Sequence, residues 1–328
     1  MKAARPSMRG ALAAKAAKPL DQLSEKEMER KIAISRVTTQ VLTRLTRAFV
    51  ERRFEWLLPV ILSRSTDPLW PDPGASLEKR IAVEIYDTTM MATSSMIVQK
   101  MVACSLAYPR LYALSPNIRV ERRERATTGR HLYEFTQLDF EAREATSKDV
   151  MALVEDVLRE LIQGVKEGCK QELTRLNRYD GLSVPDGAFK VYDRKKLEET
   201  LGTEWERRLP VGIEEPVWVT NIPREFYDFE DAGRGAWDNY DLVLPVMGEV
   251  LSGARREWEY AKLVAKMERD GVSKENYRVL LGLAKEGRLK PSAGAGIGLE
   301  RLIGWIVGAK HVAEVQPFPK VPGEVSDL

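Results

Sequence analysis

From Ser24 to Arg53, apolar residues return at helical spacing at Met28, Ile32, Val37, Val41, Leu45 and Phe49, and Ser24 with Glu27 has the form of a capping box. The pattern predicts one long amphipathic helix. It runs into "FEWLLPVILS", a strand pattern carrying Pro59; without an amide hydrogen that residue suits an edge, a bulge or a subunit seam. After the turn-rich "STDPLWPDPGAS", the stretch "RIAVEIYDTTMM" predicts a strand and "SSMIVQKMVACSLA" a buried helix. Two further strand patterns, "RLYALSPNIRVER" and "HLYEFTQLDFEARE", flank a polar loop with Thr128 and Gly129 and predict a long hairpin. A helix is expected from Ser147 to Arg175, then a less regular stretch, 179–215, that reads as a small insertion. Strands at "PVWVTN" and "DLVLPVMGEVLS", two helices between Ala254 and Glu286, and a glycine-rich strand with its helix complete the pattern. Helices and strands mix without strict alternation, so the expected fold class is α+β, an antiparallel β-sheet flanked by helices.

Composition narrows the chemistry. The 51 basic and 49 acidic residues nearly cancel, which argues against a broad basic surface for nucleic acid. The first twenty residues are the exception, with five cationic side chains and no acid, and residues 1–23 read as a disordered basic tail. No apolar run approaches a membrane span and the start lacks a secretory signal, so a cytoplasmic protein without a membrane partner is expected. Cys104 and Cys169 read as buried apolar residues. With only His131 and His311 in the chain, a histidine metal centre or a Ser-His-Asp relay has little material. Catalysis must then rest on Arg, Lys, Asp and Glu.

Near the end, "PSAGAGIGLERLIGW" places Gly294, Gly296 and Gly298 two apart, with Glu300 and Arg301 following. Leu299 stands where a dinucleotide fingerprint needs its third glycine, and no Lys-Ser or Lys-Thr completes a Walker loop. What remains is a backbone open to something flat or phosphorylated, with a guanidinium beyond it. Close strand packing ahead of a helix explains the glycines equally well. In the hairpin, Arg119 and Glu121 alternate and so share a face, while Arg130, His131, Glu134 and Phe135 add charge and an aromatic ring.

Taken in order, these segments resemble the catalytic core of class II aminoacyl-tRNA synthetases: "FEWLLPVIL" as motif 1, "NIRVER" with "RHLYEFTQLDFE" as motif 2, and "GAGIGLER" as motif 3. The resemblance spans residues 24–328 and is greatest to the aspartyl and asparaginyl branch, through "GRHLYEFTQLDFE", "NYDLVL", "GEVLSGARRE" and "HVAEVQPFPK". Before motif 1 that branch carries an anticodon-binding β-barrel, and with only a short tail before motif 1 no anticodon-binding domain is expected here. "WLLPVILSRSTDPLWPDP", "NIPREFYDFE" and "KPSAGAGIGLERL" are similar to the archaeal asparagine synthetase-related proteins.

The resemblance implies ATP and Mg2+ as cofactors, with Arg119 on the α-phosphate, Glu121 accepting from the adenine amino group, and Phe135 stacked on the ring. Arg301 would cover the other face of the adenine and reach the γ-phosphate, where His131 also matches; a lone histidine is as often structural. Arg130, Gly296 and Gly298 complete the ATP set. Asp241, Glu249 and Ser252 match magnesium positions. Lys100 and Arg256 match a cationic pair that holds a substrate carboxylate, and Asp67 an acid facing its ammonium group, although Asp before Pro also forms turns. Ile97 stands where the branch has glutamine, and Lys320 where it has arginine. The expected reaction is aspartate plus ammonia to asparagine, AMP and pyrophosphate through a β-aspartyl adenylate, by a homodimer without tRNA. The alternative keeps an aspartyl adenylate and passes the aminoacyl group to RNA or protein.

Overall fold

The computed structural model of the chain describes Lys18 and residues 20–68 and 77–325. The basic stretch 1–17 and residues 69–76 of the turn-rich segment lie outside the described residues.

Helix α1 (Glu25–Glu51) begins at the expected capping box, in which the Glu27 carboxylate accepts from the Ser24 amide at 2.8 Å. Val37, Val41, Leu45 and Phe49 are buried inside the chain's own core, while Ile32 points outward and Ala33 and Ile34 take its place. The motif 1 strand is broken: β1 (Glu55–Trp56) is followed by a separate pair of residues, Leu62–Ser63, with Pro59 between. "RIAVEIYDTTMM" is not one strand but a hairpin, Ala82–Ile85 and Thr88–Ala92, because Tyr86 and Asp87 both adopt positive φ, the geometry of a two-residue turn. Helix α2 (Ile97–Leu106) leads to the long hairpin of β2 (Arg110–Ile118) and β3 (Glu134–Arg143). The next helix divides at Cys169 into α3 (Ser147–Gly168) and α4 (Lys170–Arg175).

The segment 179–215 is more regular than its sequence suggests. It holds β4 (Lys190–Asp193), α5 (Arg194–Leu201) and α6 (Trp205–Gly212), and β4 extends the main sheet. β5 (Val217–Thr220) follows. "DLVLPVMGEVLS" is again two strands, β6 (Asn239–Leu244) and β7 (Gly248–Arg255), since Pro245 cannot continue a ladder and Val246 and Gly248 turn at positive φ. Helices α7 (Tyr260–Arg269) and α8 (Arg278–Lys285), strand β8 (Ser292–Gly298) and helix α9 (Leu299–Val307) complete the order.

Eight strands form one sheet in the order β1-β2-β3-β8-β7-β6-β5-β4, antiparallel through the middle and parallel only at the outer pairs β1/β2 and β5/β4. The largest core cluster joins α1, α3 and α9 to the sheet, with the Phe49 ring 5.0 Å from Phe140 and 5.5 Å from Tyr112. A second cluster gathers α2, α7 and α8 around Phe226 and Tyr277, and a third seats Trp205 and Leu209 of α6 on Val217, Val219 and Val243. Both cysteines are buried and unpaired. Among the described residues no helix is long and apolar enough to cross a membrane.

Candidate active site

Gly294, Gly296 and Gly298 of β8 pair with Glu141, Asp139 and Gln137 of β3, so side chains of both strands at these positions share one face. A methyl group at Gly294 would collide with the Phe140 carbonyl oxygen and the Glu141 carboxylate; one at Gly296 would stand 3.0 Å from Asp139 Oδ1 and from Gln137 Nε2. Two of the three glycines therefore make room for carboxylates and an amide of the neighbouring strand. Gly296 and Gly298 also line a cavity of about 420 Å³.

One wall of the cavity is basic. β2 ends at Ile118, and Val120–Glu121 then leaves the main sheet to pair with Leu77–Lys79, which leaves Arg119 at the break and both Arg119 and Glu121 on the cavity. The Arg119 Nε donates to the Ser94 carbonyl at 3.0 Å, and its guanidinium lies 5.2 Å from the centre of the Phe135 ring. Glu121 forms a 3.0 Å ion pair with Arg125; burial raises its pKa, opposed by Arg125, Arg119 and Arg301. Arg301 spans the cavity, donating to the carbonyls of Arg130 at 3.0 Å and Glu249 at 2.6 Å. Gly248 lacks a side chain where a methyl group would strike the Arg130 guanidinium.

His131 stands among these arginines, 3.2 Å from Arg125 and 2.6 Å from the Thr128 hydroxyl. Burial first, then the charges of Arg301, Arg125, Arg130 and Arg119, drive its pKa from 6.5 to about 2. It is a neutral imidazole. The folded state rejects a proton that the unfolded chain accepts, so its contribution to stability is present above pH 6.5 and is lost as pH falls toward 2. Between pH 6.5 and 5 the expected loss is about 2 kcal/mol. Urea unfolding of wild type and His131→Asn across that range checks this: the variant should lack that part of the slope, and parallel curves would refute it.

Acidic side chains line the same cavity. Asp241 on β6 is buried, with Oδ2 2.5 Å from Arg224 and Oδ1 without a hydrogen-bond partner. Burial pushes its pKa up, with Glu249 adding to the shift and Arg224 opposing it. Arg224 also donates to the Ser252 hydroxyl. Glu249 on β7 and Glu206 on α6 stand on the same cavity. No three His, Cys, Asp or Glu side chains among the described residues stand close enough to enclose a metal by themselves. A magnesium ion needs less from protein, one or two carboxylates with phosphates and water supplying the rest. Hard oxygens at Asp241, Glu249 and Ser252, with one buried carboxylate oxygen unengaged, fit such an ion.

Lys100 and Arg256 lie outside the cavity lining, and their charges are already compensated. Lys100 Nζ donates to Asp139 Oδ1 and to the Ala295 carbonyl, both at 3.0 Å; Arg256 pairs with Asp228 at 2.8 Å and Glu141 at 3.2 Å. The two cations expected to hold a substrate carboxylate thus belong to a buried layer already neutralised by Asp139, Glu141 and Asp228. Asp67 is buried on the loop before residue 69, with Tyr227 and Glu225 within its electrostatic reach. Ile97 packs in the second apolar cluster.

Sequence reasoning missed Arg125, Arg224, Glu206 and Asp228. It also passed over Asp139 and Glu141, although "QLDFE" shows their alternation on a strand. Arg224 and Asp228 sit in a loop with no periodic signal, and Glu206 in the stretch read as irregular.

The tRNA synthetases class II (D, K and N) family matches residues 20–322. The chain is 31% identical over 302 residues to the aspartate–tRNA(Asp/Asn) ligase of Methanopyrus kandleri, covering 85% of this chain and 66% of that protein. It is 29% identical over 252 residues to the asparagine–tRNA ligase of Metamycoplasma arthritidis, covering 68% and 55%. The chain thus spans between about half and two thirds of the length of these curated relatives. The fold matches the asparaginyl-tRNA synthetase of Pyrococcus horikoshii complexed with asparaginyl-adenylate at a TM-score of 0.79 and 22% identity, over 93% of this chain and 74% of that one. Members of the family use ATP with Mg2+. The expectation of a chain without a tRNA partner is overturned by these relatives, whose names are those of tRNA ligases. With its sheet, its glycine strand and its cavity of arginines and carboxylates, the chain belongs to the class II (D, K and N) tRNA synthetase family.

Proposed function

We propose that the chain is an ATP-dependent ligase that adenylates aspartate and passes the aspartyl group to a tRNA. The observation that carries this reading is one cavity lined by four arginines and by carboxylates of β6, β7 and α6, beside a buried cationic layer with a donor left for a carboxylate. Two of the three Lys100 ammonium hydrogens are engaged, with Glu141 also 3.9 Å from the ammonium, and Arg256 has one N–H beyond those given to Glu141, Asp228 and Gly294. They would hold the aspartate side-chain carboxylate, with Asp67 toward the ammonium group.

The other carboxylate then attacks the α-phosphorus, a P–O bond forming as the bond to pyrophosphate breaks. Arg119 would stabilise the charge that builds on the α-phosphate, and Arg301 and Arg130 the departing phosphates. Magnesium, when bound, offsets phosphate charge; Asp241, Glu249 and Ser252 would hold it. His131, being neutral, offers the phosphates a hydrogen bond and no charge.

A second reading, with ammonia as the acceptor and asparagine as product, is favoured by Glu225. The residue is 8% exposed, and its carboxylate accepts from its own backbone amide. Burial, then Asp67, raises its pKa well above the usual range, against Arg224. In its ionised form such a carboxylate is a stronger base than usual and would take the proton from ammonium to release the nucleophile.

Purified chain with ATP, Mg2+ and labelled aspartate tests both. Aspartate-dependent exchange of pyrophosphate into ATP, followed by labelled tRNA, is the expected result. Labelled asparagine appearing only with ammonium would move the acceptor to ammonia, and no exchange at all would end both readings.

A further inference from the structure

Gln137 lines the cavity, yet no step described so far uses it. On β3 it stands between Phe135 and Asp139 on one face, and so between the ring beside Arg119 and the carboxylate that holds Lys100. Same-face neighbours along a strand are about 7 Å apart, so a substrate reaching from Lys100 to Arg119 passes over Gln137.

The Gln137 amide has one permitted orientation. Ser115 of β2 lies directly opposite it in the β2/β3 ladder, and Asn117, wholly buried, lies on the diagonal. Both hydrogens of the Asn117 amide are committed: Nδ2 donates at 3.0 Å to the Ser115 carbonyl and at 3.0 Å to Gln137 Oε1. A backbone carbonyl only accepts, so the Asn117 nitrogen has to face it. The Gln137 atom beside that nitrogen must then be the oxygen, because turning the amide over would set NH2 against NH2. Nε2 is left at the Gly296 side, where a methyl group would stand 3.0 Å from it, and among the described residues it donates to nothing. Two amide hydrogens are thus held at the cavity without an acceptor in the protein.

We propose that Asn117 is a positioning residue that locks Gln137 as a hydrogen-bond donor to an oxygen of the substrate's reacting acyl group. This rests on the adenylation reading of the cavity. Of the two oxygens of the reacting carboxylate one attacks phosphorus; Gln137 Nε2 holds the other and so turns the first toward the α-phosphate. When an acceptor later bonds to the acyl carbon, the held oxygen gains negative charge until the bond to AMP breaks, and a fixed donor there lowers the barrier. An amide free to turn would offer its own oxygen instead and repel that charge.

Two assays on the whole chain separate the steps. Aspartate-dependent pyrophosphate exchange reads activation. Hydroxylamine reads transfer: its nitrogen bonds to the acyl carbon as the bond to AMP breaks, its proton goes to solvent, and aspartyl hydroxamate is counted. Gln137→Met should slow hydroxamate formation about 10²-fold, the loss for one donor to an oxyanion, and exchange by less. Asn117→Leu should slow it about five- to tenfold, the worth of one neutral hydrogen bond, with the KM for ATP unchanged. In the Gln137→Met background Asn117→Leu should cost nothing further, since Asn117 acts through that one amide. An equal loss from Asn117→Leu in both backgrounds would show that Asn117 only holds the strands together, and overturns the proposal. Should the Leu variant not fold, Asn117→Ser is put through the same pair of backgrounds and judged by the same non-additivity. A wild type without exchange would overturn the adenylation reading together with this one, whereas normal exchange with unaltered transfer in a folded Gln137→Met variant overturns this inference alone.

Discussion

Arg119→Ala should lower the rate of aspartate-dependent pyrophosphate exchange by about 10²–10³-fold, the usual loss when one donor to a developing oxyanion is removed. The effect should fall on kcat, because Arg301 and Arg130 remain to bind the triphosphate while only Arg119 sits at the break between β2 and Val120–Glu121. The fold should survive. The variant gives up one bond to the Ser94 carbonyl and a cation–π contact with Phe135, about 1–2 kcal/mol together. Arg119→Lys should fall between the two, since an ammonium keeps the charge and loses the fork. Exchange kinetics with a parallel melting curve measure this, and a loss below tenfold in a folded Ala variant would remove Arg119 from the chemistry.

Arg256→Leu should cost about 3–5 kcal/mol of stability, because it leaves Glu141 and Asp228 buried without their cation. Asp228 already carries a raised pKa from burial, held down chiefly by Arg256. The variant should therefore unfold more readily as pH rises and the two carboxyl groups are forced to ionise. Adding Glu141→Gln and Asp228→Asn should recover most of the stability and none of the aspartate binding. That split between stability and ligand affinity, read by urea denaturation and calorimetry, separates the two roles of one guanidinium. Were the single variant as stable as wild type, the buried layer would not be holding the site together.

Long periodic segments were legible from sequence. α1 with its capping box, the β2/β3 hairpin and the glycine strand ahead of α9 all carry local patterns that packing reinforces. Short turns were not. The Tyr86-Asp87 turn interrupts a strand pattern without a glycine or proline, and the Pro245–Met247 turn lies inside an apolar run marked only by its proline; the backbone angles reveal both. α6 failed for a different reason: Pro210 and sparse apolar spacing hide a helix that tertiary contacts at Trp205 and Leu209 stabilise. For the site, a sequence can show that Lys100 and Arg256 are cationic. It cannot show that Asp139, Glu141 and Asp228 neutralise them, because those pairings cross between strands and a loop far apart in the chain.

The position of β8 has a consequence for how the chain acquires its shape. β8 lies between β3 and β7 in the middle of the sheet, yet among the eight strands it is the last to leave the ribosome. Until residues 292–298 emerge, β3 and β7 each present an unpaired edge, and the sheet exists at best as two halves with nothing between them. Lys100 cannot reach Ala295, nor Arg256 reach Gly294, before that insertion. Sheet closure and assembly of the buried Lys100–Arg256 layer are therefore one late, long-range event, of the kind that slows folding and leaves a nascent chain in need of protection.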